Sequence, residues 1–135
     1  MAVTHEAIYP QTPGTAVATI VPADTTAKKT VMTAGENGAK VAFVAVTSDD
    51  TSDKTLAVYV NDGVTDGHIG DVVIPDGSGT NGTDKAVSLL NATDLPFLPA
   101  DLTIPLKAGD VLKIAAKAAV TADKTIYVTA FYGDY

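Results

Sequence analysis

Apolar and polar residues alternate most regularly in residues 102–119, which read LTIPLKAGDVLKIAAKAA. Leu102, Ile104 and Leu106 occupy every second position, and the same spacing resumes after the segment KAGD. A period of two indicates β-strands with one buried face. Within KAGD, Gly109 accepts the positive φ that a tight turn often requires. The pattern predicts two strands joined by this turn into an antiparallel β-unit.

Shorter runs with the same alternation recur along the rest of the chain. Residues 40–47, KVAFVAVT, are apolar on both faces, which is typical of a strand in the middle of a sheet. The dipeptide Asn37-Gly38 stands just before this run and is a strong hairpin signal. About nine strand candidates result. They are the two strands of the β-unit, residues 40–47, and residues 15–21, 30–33, 55–61, 68–74, 86–90 and 124–132.

No stretch shows a sustained helical period, and Gly, Asp, Asn and Pro separate the strand candidates. We therefore predict an all-β fold, an antiparallel β-sandwich with jelly-roll-like connections and about eight or nine strands. Residues 1–14, which contain Pro10 and Pro13, are predicted to form an extended N-terminal arm, and residues 15–135 a single domain. The side chains predicted to be largely buried are Phe43, Val58, Val60, Leu112, Ile114, Ile126 and Val128.

The charge of the chain bears on its partners. All nine basic residues are lysines, and the formal net charge is −7. Recognition of phosphates and bases favours the guanidinium group of arginine, and an acidic chain repels a polyanion. We predict no nucleic-acid partner. The sequence also lacks cysteine, a signal-peptide pattern at its start and any apolar run long enough to span a bilayer, so no disulfide and no membrane partner are predicted.

One loop is rich in potential oxygen ligands. Residues 75–84, PDGSGTNGTD, supply carboxylates and hydroxyls on a glycine-rich backbone, as calcium loops do. The EF-hand spacing fails, because Asn81 stands where that motif needs glycine and no glutamate follows at its twelfth position. A solvated loop and a weak calcium site both remain open. The candidate calcium ligands are Asp76, Ser78, Thr80 and Asp84.

Nothing in the sequence predicts catalysis or a cofactor. The two histidines, His5 and His68, lie in no nucleophile motif and are too isolated for a metal site. The sequence has two glutamates and no tryptophan, so it lacks the side chains that glycosidases usually use to stack on sugars. We therefore predict a protein that is not an enzyme.

Large apolar residues outside the main strands are candidates for contacts with other chains. The loop Leu95-Pro96-Phe97-Leu98-Pro99 either caps the open end of the sandwich or meets another subunit. The same two readings apply to the aromatic residues at the C-terminus. The predicted interface residues are Ile8, Tyr9, Leu95, Phe97, Leu98, Phe131, Tyr132 and Tyr135.

Three segments resemble the small β-sandwich decoration (cement) and head- or tail-fibre attachment proteins of tailed bacteriophages. They are Val46-Thr47-Ser48, residues 56–63 (LAVYVNDG) and residues 104–116 (IPLKAGDVLKIAA). The resemblance covers roughly residues 40–133. The loops at residues 75–84 and 91–101 depart from the family pattern.

This resemblance implies a structural virion protein that binds the surface of the major capsid protein and stabilises the head. It further implies synthesis in the host cytoplasm, a location on the capsid surface, a homo-oligomer that is often a trimer, and a head or tail fibre protein as a further partner. The alternative from another class is a receptor- or carbohydrate-binding module of a phage fibre or adhesin.

Overall fold

The computed structural model describes residues 10–135, which form nine β-strands and one turn of 3-10 helix, Pro22–Asp24. The strands lie in two antiparallel sheets, so the prediction of an all-β sandwich is confirmed. The strands are β1 Thr12–Ile20, β2 Lys29–Thr33, β3 Ala39–Ser48, β4 Lys54–Asn61, β5 Asp66–Ile74, β6 Val87–Ser88, β7 Ile104–Leu106, β8 Val111–Ala116 and β9 Ile126–Asp134.

The strand order is that of a jelly roll. Sheet I has the order β1-β9-β3, and the short strands β6 and β7 both pair with the far side of β3. Sheet II has the order β2-β8-β4-β5. The pairs are nested, β1 with β9, β2 with β8, β3 with β6 and β7, and β4 with β5, as in a long hairpin that has rolled up on itself. The predicted jelly-roll-like connections are confirmed, and β3 is a central strand as predicted.

Two predicted turns join strands that do not pair with each other. The KAGD turn has Gly109 at φ +81°, and the backbone N–H of Lys107 donates to Asp110 Oδ2 at 3.1 Å. However, β7 before it lies in sheet I and β8 after it lies in sheet II, so the predicted antiparallel unit is wrong. The Asn37-Gly38 turn likewise crosses from β2 in sheet II to β3 in sheet I. Local alternation sets strand conformation, but distant segments decide the pairing.

The core lies between the two sheets. Five of the seven side chains predicted to be largely buried are fully buried, and Val60 is half-buried. Phe43 was wrongly assigned to the core, because a β-bulge between Val41 and Phe43 shifts the phase of β3. Val41 and Val44 both point inward, and the exposed fraction of Phe43 is 54%. The five buried side chains are Val58, Leu112, Ile114, Ile126 and Val128.

The start of β1 differs from the predicted boundary of the arm. β1 begins at Thr12, so three residues assigned to the arm belong to the first strand. Pro13 lies opposite Gly133 of β9. β1 is an edge strand, where a residue without a backbone N–H costs no ladder hydrogen bond. The predicted interface residues Ile8 and Tyr9 lie outside the described residues.

Candidate interaction surface

The outer face of sheet I exposes large apolar side chains. Val17 of β1 is 62% exposed, Phe43 of β3 is 54% exposed and Tyr127 of β9 is 47% exposed. Phe131 and Ala45 lie half-buried on the same side of their strands. We call these five residues the apolar face. Because strand residues two apart share a face, the apolar face extends over the three long strands β1, β9 and β3.

An aromatic pair forms the centre of the apolar face. Phe43 lies opposite Phe131 in the register of β3 and β9, and their ring centroids are 4.8 Å apart with planes tilted by 32°. This is an ordinary geometry for a cross-strand aromatic pair. The bulge in β3 therefore moves a phenylalanine out of the core and places it against a second one at the surface.

The apolar face carries no charged strand residue. The outward-facing positions between its members on β1, β9 and β3 are threonines, namely Thr15, Thr19, Thr47 and Thr129. The nearest charged strand residue on this side is Lys40 at the end of β3, and it pairs with Asp101 at 3.2 Å. The threonines alternate with the apolar residues, and an exposed apolar patch of this kind is typical of a protein-binding surface.

The outer face of sheet II is charged instead. Asp66 of β5 lies 3.0 Å from Lys28 Nζ and 3.3 Å from Lys113 Nζ, and it accepts a hydrogen bond of 2.7 Å from the Asn61 amide. The hydrogen bonds from Asn61 and then from Lys28 hold the pKa of Asp66 well below its ordinary value. Lys28 also lies 4.5 Å above the centre of the Tyr59 ring.

A second ionic group continues this charged network along β5. Asp71 accepts a hydrogen bond of 2.8 Å from Lys117 Nζ, and His68 Nε2 lies 2.7 Å from its other oxygen. The hydrogen bond from Lys117 is the main cause of the lowered pKa of Asp71. The ring of His68 packs 5.0 Å from the ring of Tyr59, which joins the two ionic groups. These charges have partners within the chain, so they need none from outside.

The loop at residues 75–84 uses most of its polar groups internally. Ser78 Oγ donates to the carbonyl of Pro75 at 2.6 Å, and Thr80 Oγ1 donates to the carbonyl of Ser48 at 2.9 Å. Asp84 accepts a hydrogen bond of 2.9 Å from the Asn81 amide, while Asp76 is exposed. Calcium binding by these residues stays a prediction, and none of the contacts described above tests it.

The apolar loop divides between the two predicted readings. Leu95 is fully buried and packs against Gly70 of β5, where a Cβ atom would collide with its side chain. Leu98 packs against the edge of the core, whereas Phe97 is 59% exposed. The chain between β6 and β7 thus crosses from the edge of sheet I to the edge of sheet II and closes that side of the sandwich. Leu95 caps the core, and Phe97 remains available for contact.

The predicted C-terminal aromatic residues also separate. Phe131 lies in the apolar face, as described above. The ring of Tyr132 points to the inner side of β9 and lies over Gly14 of β1, where any Cβ atom would overlap it. Tyr135 is half-buried, and its backbone N–H donates to the carbonyl of Gly38 at 3.2 Å.

Asp50 is the one buried carboxylate among the described residues, and it ties two loops together at one end of the sandwich. Its two oxygens accept hydrogen bonds of 2.9 Å and 2.7 Å from the backbone N–H and hydroxyl of Thr121. Ser52 donates two more. Burial raises the pKa of Asp50, but these four hydrogen bonds together outweigh it and lower the pKa to about 2. The group is therefore a structural anchor.

Sequence reasoning missed Val17 and Tyr127, which are the outermost exposed members of the apolar face. Each stands between two inward-facing neighbours of its strand, so alternation marks both residues as outward once the buried face is known. The missing information was that Phe43 joins them, since only the bulge in β3 places it on that side.

No cluster of metal-binding side chains appears in residues 10–135. No group of three or more His, Cys, Asp or Glu side chains there could hold a metal ion. Every buried side-chain polar atom of this part of the chain has a hydrogen-bond partner, so none is left directed at a ligand. Among the same residues no helix has the length and apolarity needed to cross a bilayer.

Comparison with known proteins shows the fold. No protein-family model and no curated protein matches the chain. The fold is similar to that of a chain in the acidic stable capsid structure of Helicobacter pylori bacteriophage KHP30, with a TM-score of 0.60 and 12% identity over 93% of this chain and 90% of that chain. A chain of the cyanophage Pam1 capsid asymmetric unit aligns over 100% of this chain and 94% of that chain, with 17% identity and a TM-score of 0.49. The two-sheet fold therefore also occurs in a protein of a phage capsid.

Proposed function

We propose that this chain is a structural protein of a bacteriophage virion, a decoration (cement) protein that binds the surface of the major capsid protein and stabilises the head. The observation that carries the proposal is the apolar face of sheet I. It exposes Val17, Phe43 and Tyr127 without a charged strand residue among them. Burying such a surface against a protein gains about 25 cal/mol for each Å² of apolar area removed from water.

Two further observations support a protein partner in a capsid. The net charge of −7 and the absence of arginine oppose binding to the packaged nucleic acid. The fold is shared with a chain in the KHP30 capsid structure. The sequence resemblance to phage decoration proteins points the same way, and it is the basis for proposing a homotrimer, which native mass spectrometry of the purified chain tests.

The decisive experiment compares two valines on opposite sides of the sandwich. Capsids of the phage that encodes this chain are prepared without it, mixed with the purified protein and sedimented, and their thermal disassembly is followed by light scattering. Val17→Asp places a charge in the apolar face. Val73→Asp is the matched control, since Val73 is 52% exposed on β5, the edge strand of sheet II.

We expect the unchanged chain and Val73→Asp to co-sediment with the capsids and to raise their disassembly temperature. Val17→Asp should lose at least ten-fold in capsid affinity while keeping its fold by circular dichroism. If the unchanged chain does not sediment with capsids, the decoration role is wrong. Binding of the same chain to a glycan array would then favour the receptor-binding alternative.

A further inference from the structure

Strand β1 forms one edge of sheet I, and within residues 10–135 no strand pairs with its outer side. Two hydrogen bonds at the ends of the ladder between β3 and β9 show which backbone groups of β9 face which neighbour. The Asp49 N–H donates to the carbonyl of Thr125 at 3.3 Å, and the Tyr135 N–H donates to the carbonyl of Gly38 at 3.2 Å. Backbone groups alternate sides along a strand, so odd-numbered residues of β9 bond to β3 and even-numbered residues bond to β1.

This alternation leaves one set of β1 backbone groups facing the open edge. The even-numbered residues of β1 lie opposite the even-numbered residues of β9 and bond to them. The N–H and C=O groups of Thr15, Val17 and Thr19 therefore point away from the sheet. Their side chains are exposed, and no turn or loop of the described chain forms a backbone hydrogen bond with them.

The free backbone groups are centred on Val17. Four residues before it stands Pro13, which has no N–H to offer. Four residues after it stands Val21, whose N–H donates to Asp24 Oδ2 at 2.9 Å and whose carbonyl accepts from the Asp24 N–H at 3.0 Å. The available groups thus end at the same distance on both sides of Val17, as a two-fold contact between identical strands requires.

The other edges of the two sheets are protected against pairing. β2 is short, and its register shifts between Thr30 and Met32. On the far side of sheet I, β6 and β7 cover β3. β5 carries the ion-paired Asp66 and Asp71, and the loop at residues 91–101 lies against it at Gly70. In contrast, β1 has nine residues and no charge, and a long edge strand of this kind is a template for pairing with another chain.

We propose that β1 pairs with β1 of a second copy of this chain, antiparallel, with Val17 opposite Val17 and Thr15 opposite Thr19. In this register each of the three residues both donates and accepts a backbone hydrogen bond across the contact. The two valines lie side by side on the outer face of sheet I, and no like charges meet because β1 has none. The contact is isologous, so it closes on two copies and does not grow into a fibre.

This pairing does not depend on the proposed function. It uses the edge of sheet I, whereas Phe43 and Tyr127 lie on β3 and β9 and stay exposed. A face for the capsid and an edge for a second copy can therefore be used together. In the proposed homotrimer, the β1 contact would join copies that belong to neighbouring trimers.

The absence of cysteine from the sequence allows a crosslinking test that reports the register. Val17→Cys places the thiols of two paired copies opposite each other, with Cα atoms about 5.5 Å apart, which a disulfide accepts. Thr15→Cys alone leaves the two thiols about 13–14 Å apart along the strands, and so does Thr19→Cys alone. A mixture of these two variants brings unlike copies into register. Val73→Cys, at a similarly exposed valine of sheet II, is the matched control.

Each reduced variant is first shown to melt like the parent chain, and disulfide formation with oxidised glutathione is then followed by non-reducing mass. We expect Val17→Cys to form dimers at least ten-fold faster than Val73→Cys at the same protein concentration. The mixture of Thr15→Cys and Thr19→Cys should form dimers at least ten-fold faster than either variant alone, and it decides the matter if Val17→Cys does not fold.

Equal rates for Val17→Cys and Val73→Cys would overturn the proposal. The same holds if Thr15→Cys alone forms dimers as fast as the mixture, because the copies would then meet in another register or by random collision. No capsids enter these measurements, so their outcome is separate from that of the capsid-binding experiment.

Discussion

The two outer faces of the sandwich both lie on antiparallel sheets but differ in chemistry. On sheet I, valine, alanine, phenylalanine and tyrosine alternate with threonine, and the only charged strand residue, Lys40, stands at the end. On sheet II, Asp66, Asp71, Lys113 and Lys117 are joined in ion pairs. Both faces are exposed in the single chain. The charged side chains of sheet II have ion-pair partners within the molecule, whereas the apolar side chains of sheet I are left in contact with water.

This difference indicates which face of the sandwich is satisfied within the chain and which is left to bind another surface. Each charged group of the network on sheet II has a partner in the same chain, so water and internal ion pairs satisfy that side. On sheet I, Phe43 and Phe131 form an aromatic pair at the surface, and every apolar Å² left in water costs free energy that a partner would recover. A face of this kind is where we expect another surface to bind.

The largest expected effect on the free energy of unfolding is at the core that both sheets share. Leu112 is fully buried between the sheets, so Leu112→Ala should lower the free energy of unfolding by about 2–5 kcal/mol. Val111→Ala, at the outward-facing neighbour on the same strand, should cost clearly less. Urea denaturation monitored by circular dichroism measures both. Similar losses for the two variants would mean that the phase of β8 is wrong.

The next effect concerns the buried carboxylate, in contrast with the exposed ones on sheet II. Lowering the pKa of Asp50 from 3.8 to about 2 corresponds to about 2 kcal/mol of stability. Because the folded-state pKa is the lower one, this stability is present above about pH 4 and is lost as the pH falls towards 2.

Asp50→Asn should therefore cost about 2 kcal/mol at pH 7 and flatten part of the decline in stability between pH 4 and pH 2. Urea denaturation at each pH measures this, and Asp94→Asn, at an exposed carboxylate, is the control. An unchanged slope in that pH range would show that Asp50 is not an anchor.

A smaller effect is expected at the aromatic pair of the apolar face. Phe43→Ala removes the contact with Phe131, and pairs of this type contribute about 0.5–1.5 kcal/mol beyond area burial. The loss should be well below that of Leu112→Ala in the same denaturant series. A loss of equal size would place Phe43 in the core and remove it from the interaction surface.

The smallest effect belongs to the ion pairs of sheet II. Asp66→Asn weakens the contacts with Lys28 and Lys113, and exposed pairs of this kind are screened by salt. The melting temperature should fall slightly at low ionic strength, and the gap to the unchanged chain should close near 0.5 M salt, where the Debye length is only about 4 Å. A gap that persists at high salt would show that Asp66 acts through packing or through its bond to Asn61.

By itself, the sequence determined the class of fold and the positions of the strands. Period-two alternation is a local property, because each residue's side of a strand follows from its neighbours. For that reason residues 40–47 could be recognised as a central strand, and Leu112 and Ile114 as core, before any pairing was known. Leu95 could be assigned only to two alternatives, since its sequence context does not show Gly70 as the surface it packs on.

Only the tertiary structure decided what depends on partners far away in the chain. The KAGD and Asn37-Gly38 turns have the residues of hairpins, but the strands that they join pair elsewhere. β7 pairs with β3 and β8 with β2 and β4, while β3 pairs with β9. The bulge between Val41 and Phe43 lets Val41 and Val44 both face the core and leaves Phe43 at the surface. The other members of the apolar face follow from plain alternation, but the alternation of residues 40–47 could predict the strand and not on which side Phe43 lies.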